Sequence, residues 1–269
     1  MKKNIKMAIL VAFLGVFVAC SSESTPTYSE LGSDNYPQKF YVEYVPCTYG
    51  ANWSPEAFNQ DMLPGWQELL VEVDSTIVAA YGLTYEGEKP EDAPGDGFWQ
   101  LIWNSKADAD AGWETWESYE KTADWNESTA DILACGTKAE TFSFDAYVRR
   151  DGNALGAFNL ESFSSDYQQC LYNEGQGSSE LIAVIDQFEE WIESSDSSIY
   201  APYSYVVLAP DYEDEEVDLF WGNFNQNAEL RDAGNAYFLK TGTDIQDAFD
   251  KVMTCEDPID YVTGEIPLT

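Results

Sequence analysis

The chain of 269 residues contains no histidine. That absence excludes a Ser-His-Asp or Cys-His catalytic machine, and equally His-ligated zinc, a non-haem iron triad and a His-ligated haem. Cations are scarce too, with 13 Lys and Arg against 49 Asp and Glu and a formal charge of -36. Phosphate recognition needs clustered Lys and Arg, so nucleic acid and anionic headgroups are not expected partners. Among the five cysteines no Cys-x-x-Cys pair occurs, which leaves no dithiol redox motif. A phosphate-cradling glycine loop is missing as well, since Gly175-Gln176-Gly177 is too short a run to make one.

What is present describes a folded body. Apolar residues make up 44% and aromatic residues 15%, ample for a packed core and unlike a disordered acidic chain. The acidity reads first as a surface property that favours solubility where salt screens repulsion, with a surface that attracts cations as the alternative. Any metal would need oxygen ligands, hence Ca²⁺ or Mg²⁺. The candidates fall in two acidic hairpins, Glu86, Glu88, Glu91, Asp92 and Asp96 in one, and Asp211, Glu213, Asp214, Glu215, Glu216 and Asp218 in the other. Neither has EF-hand spacing; both read as solvated tips, and no metal ligand is assigned. Among the many acids nothing singles out a carboxylate pair for glycoside hydrolysis.

The chain writes one stretch twice. Phe98-Trp99-Gln100-Leu101-Ile102-Trp103-Asn104 returns as Phe220-Trp221-Gly222-Asn223-Phe224-Asn225-Gln226, offset by 220 − 98 = 122 without a gap. Ala111-Gly112 matches Ala233-Gly234 and Trp116 matches Phe238 at the same offset. An internal repeat of this length fixes two equivalent halves.

At the start, Lys2, Lys3 and Lys6 precede an apolar run from Met7 to Ala19, too short for a dependable membrane span. Closing on Phe17-Val18-Ala19-Cys20 and Ser21-Ser22-Glu23-Ser24, it resembles a bacterial lipoprotein signal. The resemblance implies cleavage after residue 19 and acylation of Cys20. The lipid bilayer is then a partner, and the location is the cell envelope, at the outer membrane if the cell has one. Residues 20–38, rich in Ser, Thr, Pro, Gly and Asp, read as a flexible tether.

In the body, residues 39–151 and 152–269 each read as strand, helix, strand, strand, helix, strand. Lys39 to Tyr49, Thr76 to Tyr85, Phe98 to Asn104 and Thr141 to Arg149 are the expected strands of half one. Ser54-Pro55-Glu56 opens a helix with Phe58, Met62, Trp66 and Leu70 on one stripe, which Pro64 is expected to kink. In half two, Leu181, Ile185, Phe188 and Ile192 share a helix face. That order is a ferredoxin-like βαββαβ unit. In a lone unit one sheet face meets water, yet Phe98, Trp99, Leu101, Ile102 and Trp103 are apolar at both parities. Both faces are therefore covered, each half's sheet by the other's. The α+β body resembles the dimeric α+β barrel superfamily as two tandem ferredoxin-like repeats packed sheet to sheet, an internal pseudo-dimer in a monomer. No short motif fixes a family.

Cys47, Cys135, Cys170 and Cys255 allow three disulfide connectivities. Cys47 and Cys170 end the first strand of their halves, and Cys135 and Cys255 are expected to end the last helix. The offsets 170 − 47 = 123 and 255 − 135 = 120 follow the repeat, so Cys47–Cys135 and Cys170–Cys255 are the expected bonds.

The superfamily holds small aromatic or polyketide-like molecules between sheet and helices, and some members oxidise them without a cofactor; its haem-using branches lean on a histidine. The resemblance implies a pocket lined by Tyr49, Trp53, Trp99 and Trp103 in half one and Tyr172 and Trp221 in half two. Asn104, Gln226 and Arg149 would be its polar handles. Against this, Trp99 and Trp221 read as core, and Arg149-Arg150 as cations paired to nearby acids. No catalytic residue and no cofactor is assigned. The preferred expectation is a membrane-anchored envelope lipoprotein, not an enzyme, that binds a small apolar or aromatic ligand or a protein. The alternative is a cofactor-independent monooxygenase or isomerase acting on a small aromatic or polyketide-like substrate.

Overall fold

The computed structural model describes residues 39–150, 158–200, 202–214 and 216–269. The signal residues, Cys20, the tether, the boundary at Asp151-Gly152 and Glu215 lie outside them. Half one runs β1 (Lys39–Tyr49), a helix α1, β2 (Ile77–Tyr85), β3 (Gly97–Trp103), α2 (Lys106–Ser118), α3 (Glu120–Thr129), β4 (Leu133–Cys135) and β5 (Phe142–Arg150). Half two runs β6 (Phe163–Tyr172), α4 (Ser178–Ser194), a turn of helix α5 (Ser197–Tyr200), β7 (Tyr203–Pro210) and β8 (Leu219–Asn225). It ends with α6 (Ala228–Thr241), α7 (Thr243–Val252), β9 (Met253–Cys255) and β10 (Ile259–Glu265).

Each half orders its long strands alike, β5-β1-β3-β2 and β10-β6-β8-β7. The free edges then find each other: β5 pairs with β7, and β10, already held by β6 within its own half, pairs with β2. The result is a closed antiparallel barrel in a mixed α+β fold, which leaves the long strands without an exposed edge. Sheet-to-sheet covering is thus completed by hydrogen bonds at both seams.

Closure explains the double parity of the apolar residues. Trp99, Leu101 and Trp103 turn outward to the helices of half one, while Phe98 and Ile102 turn into the barrel. The interior is filled by aromatic and aliphatic side chains such as Tyr44, Phe144, Val206 and Tyr261, and Gln100 donates to the Tyr44 hydroxyl at 2.9 Å. Outside the barrel a second and a third core lie under each half's helices.

Local signals account for the helices. α1 covers residues 55–72 as Pro55–Ala57, a π-helical turn Phe58–Met62 and a regular helix Leu63–Glu72, with the Ser54 hydroxyl accepting from Ala57 N. Where a kink was expected at Pro64, the π-turn absorbs it: Pro64 falls in the first turn of the next regular segment, where its missing N–H goes unneeded. The N-caps repeat as the sequence does, since 227 − 105 = 122: Ser105 Oγ accepts from Asp108 N and Asn227 Oδ1 from Leu230 N.

Both expected disulfides are present, Cys47–Cys135 and Cys170–Cys255. One detail is corrected. Cys135 and Cys255 do not end helices; they sit in short strands, β4 on β1 and β9 on β6, directly opposite their partners. A three-residue strand after a helix carries too little pattern to be read from sequence.

Several hairpin acids are not merely solvated tips. Asp96 accepts from Tyr49 N at 2.9 Å, and its counterpart Asp218 accepts from Tyr172 N at 2.7 Å. Lys89 beside Asp96, together with that amide, holds its carboxyl below the usual range. Glu86 and Asp211 cross between halves, Glu86 to Arg231 on α6 and Asp211 to Lys106 on α2, both at 2.8 Å. The two contacts are mirror uses of one position, the first residue after β2 or β7.

Candidate functional site

A cavity of about 540 Å³ lies in half one between the outer face of the sheet and helices α1, α2 and α3. Six of the nine tryptophans line it: Trp66, Trp99, Trp103, Trp113, Trp116 and Trp125. The repeat motif supplies Trp99 and Trp103 from alternate positions of β3, and α1 supplies Trp66 one turn beyond Met62. α2 reaches the sheet because of a glycine: a Cβ at Gly112 would stand 2.5 Å from Trp103 Cζ3. Among the described lining residues Glu117, exposed near the opening, is the one ionisable side chain.

Behind this wall sits Glu43, on the same face of β1 as Tyr41 and Val45 and wholly inaccessible at 0% exposure. Its Oε2 accepts from the indoles of Trp103 at 3.0 Å and Trp113 at 2.6 Å. Its Oε1 takes Lys138 Nζ, with Ser143 Oγ at 3.4 Å. One carboxylate therefore orients two walls of the cavity while a lysine neutralises it. Trp125 donates to Met62 O at 3.2 Å. Trp99 is different: its indole N–H is buried and has no acceptor. In half two the corresponding Trp221 donates to Asn223 Oδ1 at 2.9 Å, whereas position 223 − 122 = 101 in half one is a leucine. The lost acceptor is thus legible in the repeat.

A second cavity, of about 520 Å³, occupies the equivalent place in half two. Trp221, Asn223 and Asn225 of β8 face it together with Tyr203, Arg231 and Phe249. Asn223 also donates to Asp166 Oδ1 at 2.7 Å, and Asp166 occupies the place that Glu43 has in half one, since 166 − 43 = 123.

The residues expected to form a pocket are thus divided. Trp99 and Trp103 line one cavity and Trp221 the other. Tyr49 and Trp53 line neither; they stack on each other at 4.3 Å against the half-one core. Tyr172 packs on the half-two core, and Asn104 is exposed just past β3. The Gln226 amide ties down Asn159 and Ser162. Arg149 and Arg150 pair with Asp186 and Glu189 on α4. Sequence reasoning missed Glu43, although a single acid inside Phe40-Tyr41-Val42-Glu43-Tyr44-Val45, matched by Asp166, was the available signal.

No family model matches the chain, and no curated protein was found similar to it. Solved structures are similar at low identity. A monooxygenase candidate from Fusobacterium nucleatum has 8% identity over 86% of this chain and 93% of its own, with a TM-score of 0.45. A heme-binding protein from Thermus thermophilus has 11% identity over 86% and 92%, at 0.46. A chlorite dismutase variant from Candidatus Nitrospira defluvii has 9% over 85% and 92%, at 0.47. At these values no residue role passes to this chain.

The preferred functional expectation is nevertheless corrected. The solved structures similar to this chain are described as a monooxygenase candidate, a heme-binding protein and a chlorite dismutase, none of them as a non-enzymatic lipoprotein.

Haem, which one of these neighbours is described as binding, does not fit the residues here. Axial ligation draws on His, a thiolate, a phenolate, or Met opposite His. This chain has no His, and its four body cysteines are in disulfides. In the half-two cavity the phenols of Tyr200 and Tyr203 already donate, to Gly234 O at 3.0 Å and Asn223 Oδ1 at 2.9 Å. Burial pushes both phenols up, away from phenolate. Met62 and Met253 face the cavities without a histidine to complement them. Among the described residues no group of three or more Cys, Asp and Glu converges as a metal site either.

Proposed function

We propose that the half-one cavity is the substrate site of an enzyme that turns over a small aromatic or polyketide-like molecule without a cofactor, as a monooxygenase or isomerase. The observation that carries this reading is the set of indoles around about 540 Å³, with the Trp99 N–H lacking an acceptor. Flat rings suit a flat substrate, and an idle buried donor suits an oxygen that gains charge as the substrate ionises. A phenol or enol that loses a proton becomes an electron-rich anion, and Trp99 would hold its oxygen. In the oxygenase reaction that anion supplies the electrons: a ring CH₂ and O₂ give C=O and water. Glu117 at the opening is the group that would exchange the proton with solvent. Trp103 and Trp113, fixed by Glu43, exclude water.

The test is oxygen uptake by the purified protein with a panel of phenols and anthrones under air, alongside mass analysis for gain of one oxygen and loss of two hydrogens. Turnover that persists without oxygen and leaves the mass unchanged selects the isomerase. Trp99→Phe keeps an aromatic wall and removes the donor, so it should weaken turnover about tenfold, the worth of one hydrogen bond to a charged oxygen. Neither binding nor turnover across the panel would overturn the reading.

The finer architecture belongs to the same proposal. Each half is read as a ferredoxin-like unit on the support of its strand order, and the chain as a monomer with an internal pseudo-dimer. Location is a separate proposal that rests on residues 1–20 alone. Acylation at Cys20 would tie the body to the cell envelope, and Cys20→Ser would then release it from the membrane fraction.

A further inference from the structure

The half-two cavity is built from different chemistry, and its ligand class is inferred independently of the reading given for half one. Where half one places Leu101 and Trp103 on its outer face, the repeat places Asn223 and Asn225. Asn223 is engaged at both ends, accepting from Trp221 and Tyr203 and donating to Asp166. Asn225 is not. The residue is only 6% exposed, it lines the cavity, and no hydrogen bond among the described residues engages its amide. Unlike the Trp99 indole N–H, this amide is open to the cavity, where a ligand can reach it.

Charge narrows what that is. Arg231 is the one cation in the lining, and it is already surrounded by Glu86, Asp232 and Asp260 at 2.8 to 3.2 Å, with Ser164 Oγ at 3.1 Å. An anion would find no uncommitted partner there, and it would pass the carboxylates of Asp250, Glu256 and Asp257 to enter. A cation gains from all three. It also gains from the walls, since Tyr203, Phe238 and Phe249 line the same space and ring faces attract positive charge. A formal charge of -36 raises the local concentration of any cation.

We propose that the half-two cavity binds a small organic ammonium ion, whose N–H groups meet the Asn225 carbonyl and the rim carboxylates and whose carbon skeleton lies against the aromatic walls. Aromatic faces, an uncommitted amide open to the cavity and an acidic mouth converge on one class of ligand.

Isothermal titration of the purified protein with phenethylammonium, and separately with its neutral analogue 2-phenylethanol, tests this at about 0.15 M salt, where exposed charges are screened beyond roughly 8 Å. One saturable site is expected, at least about tenfold tighter for the ammonium than for the alcohol. Asn225→Leu should weaken the ammonium about tenfold. Because Asn225 is in a strand, Asp257→Asn on the exposed rim provides a variant that leaves the core alone; it should weaken the ammonium about threefold and leave the alcohol unchanged. Equal affinity for the two ligands would overturn the proposal. So would binding indifferent to both substitutions, or uptake at many sites that vanishes with added salt, which is the ion atmosphere of an acidic surface.

Discussion

Lys138→Met is expected to destabilise the protein by about 3 kcal/mol, because it strands a carboxylate from which water is excluded. Glu43 is wholly buried and Lys138 is the cation on its Oε1. Removing one member of such a pair typically leaves a penalty of about 3 to 5 kcal/mol. Two features hold the figure at the lower end: Lys138 is itself 27% exposed, and the indoles of Trp103 and Trp113 still donate to Oε2 in the variant. Adding Glu43→Gln should recover most of the loss, since a neutral amide keeps an acceptor for the indoles and leaves no charge to compensate. Urea unfolding of the four proteins of this cycle gives the coupling directly. A change below about 0.5 kcal/mol in Lys138→Met would mean that the pair does not form in solution. The loss should also loosen the half-one wall, so indole fluorescence would report the same variant independently.

How the sequence yielded this fold, and where it fell short, depends on which interactions are periodic. The repeat, the four long strands of each half and the disulfide pairing could be read because alternation and offset are one-dimensional properties of the chain. Apolar residues at both parities of β3 even implied that each sheet is covered on both faces. The short strands β4 and β9 escaped, since three residues after a helix make no pattern. The site was legible only in part. Trp99, Trp103 and Trp221 stood out in the doubled motif, but Trp113, Trp116 and Trp125 are on helices whose inner faces are set by tertiary packing. Glu43 looked like an ordinary strand acid; only folding brings two indoles and a lysine to it from three other elements. Tyr49 and Trp53 were plausible pocket residues by proximity in sequence, yet stacking on each other satisfies them. The acids of the hairpins were underestimated for a related reason, as Glu86 and Asp211 find their cations only across the halves.

Asp166→Asn should raise stability at pH 8 by up to about 3 kcal/mol and change it little at pH 4. Burial pushes the Asp166 carboxyl from 3.8 to about 6; Asp260 adds to the rise, while the Asn223 hydrogen bond and Arg231 oppose it. A carboxyl whose folded value lies above its unfolded one binds its proton more tightly when folded. Its contribution to stability is therefore complete below pH about 4 and is lost as the pH climbs through about 6. Two units at about 1.4 kcal/mol each give the size of the loss. Asparagine removes the titration and retains an oxygen for Asn223 Nδ2. Because many other acids also titrate, the decisive quantity is the difference between variant and parent in urea at each pH, which cancels their shared part. A difference that is flat with pH, or a variant less stable at pH 8, would contradict the burial assigned to Asp166. The same strand position in half one shows why the effect is local. Glu43 has Lys138 hard against it, shared only with the more distant and half-exposed Asp110 at 3.7 Å, whereas the cation nearest to Asp166, Arg231, is divided among Glu86, Asp232 and Asp260. One repeat position thus holds a compensated carboxylate behind an aromatic cavity in half one and an under-compensated one beside a polar cavity in half two. That difference in compensation is why the pH dependence is expected from Asp166.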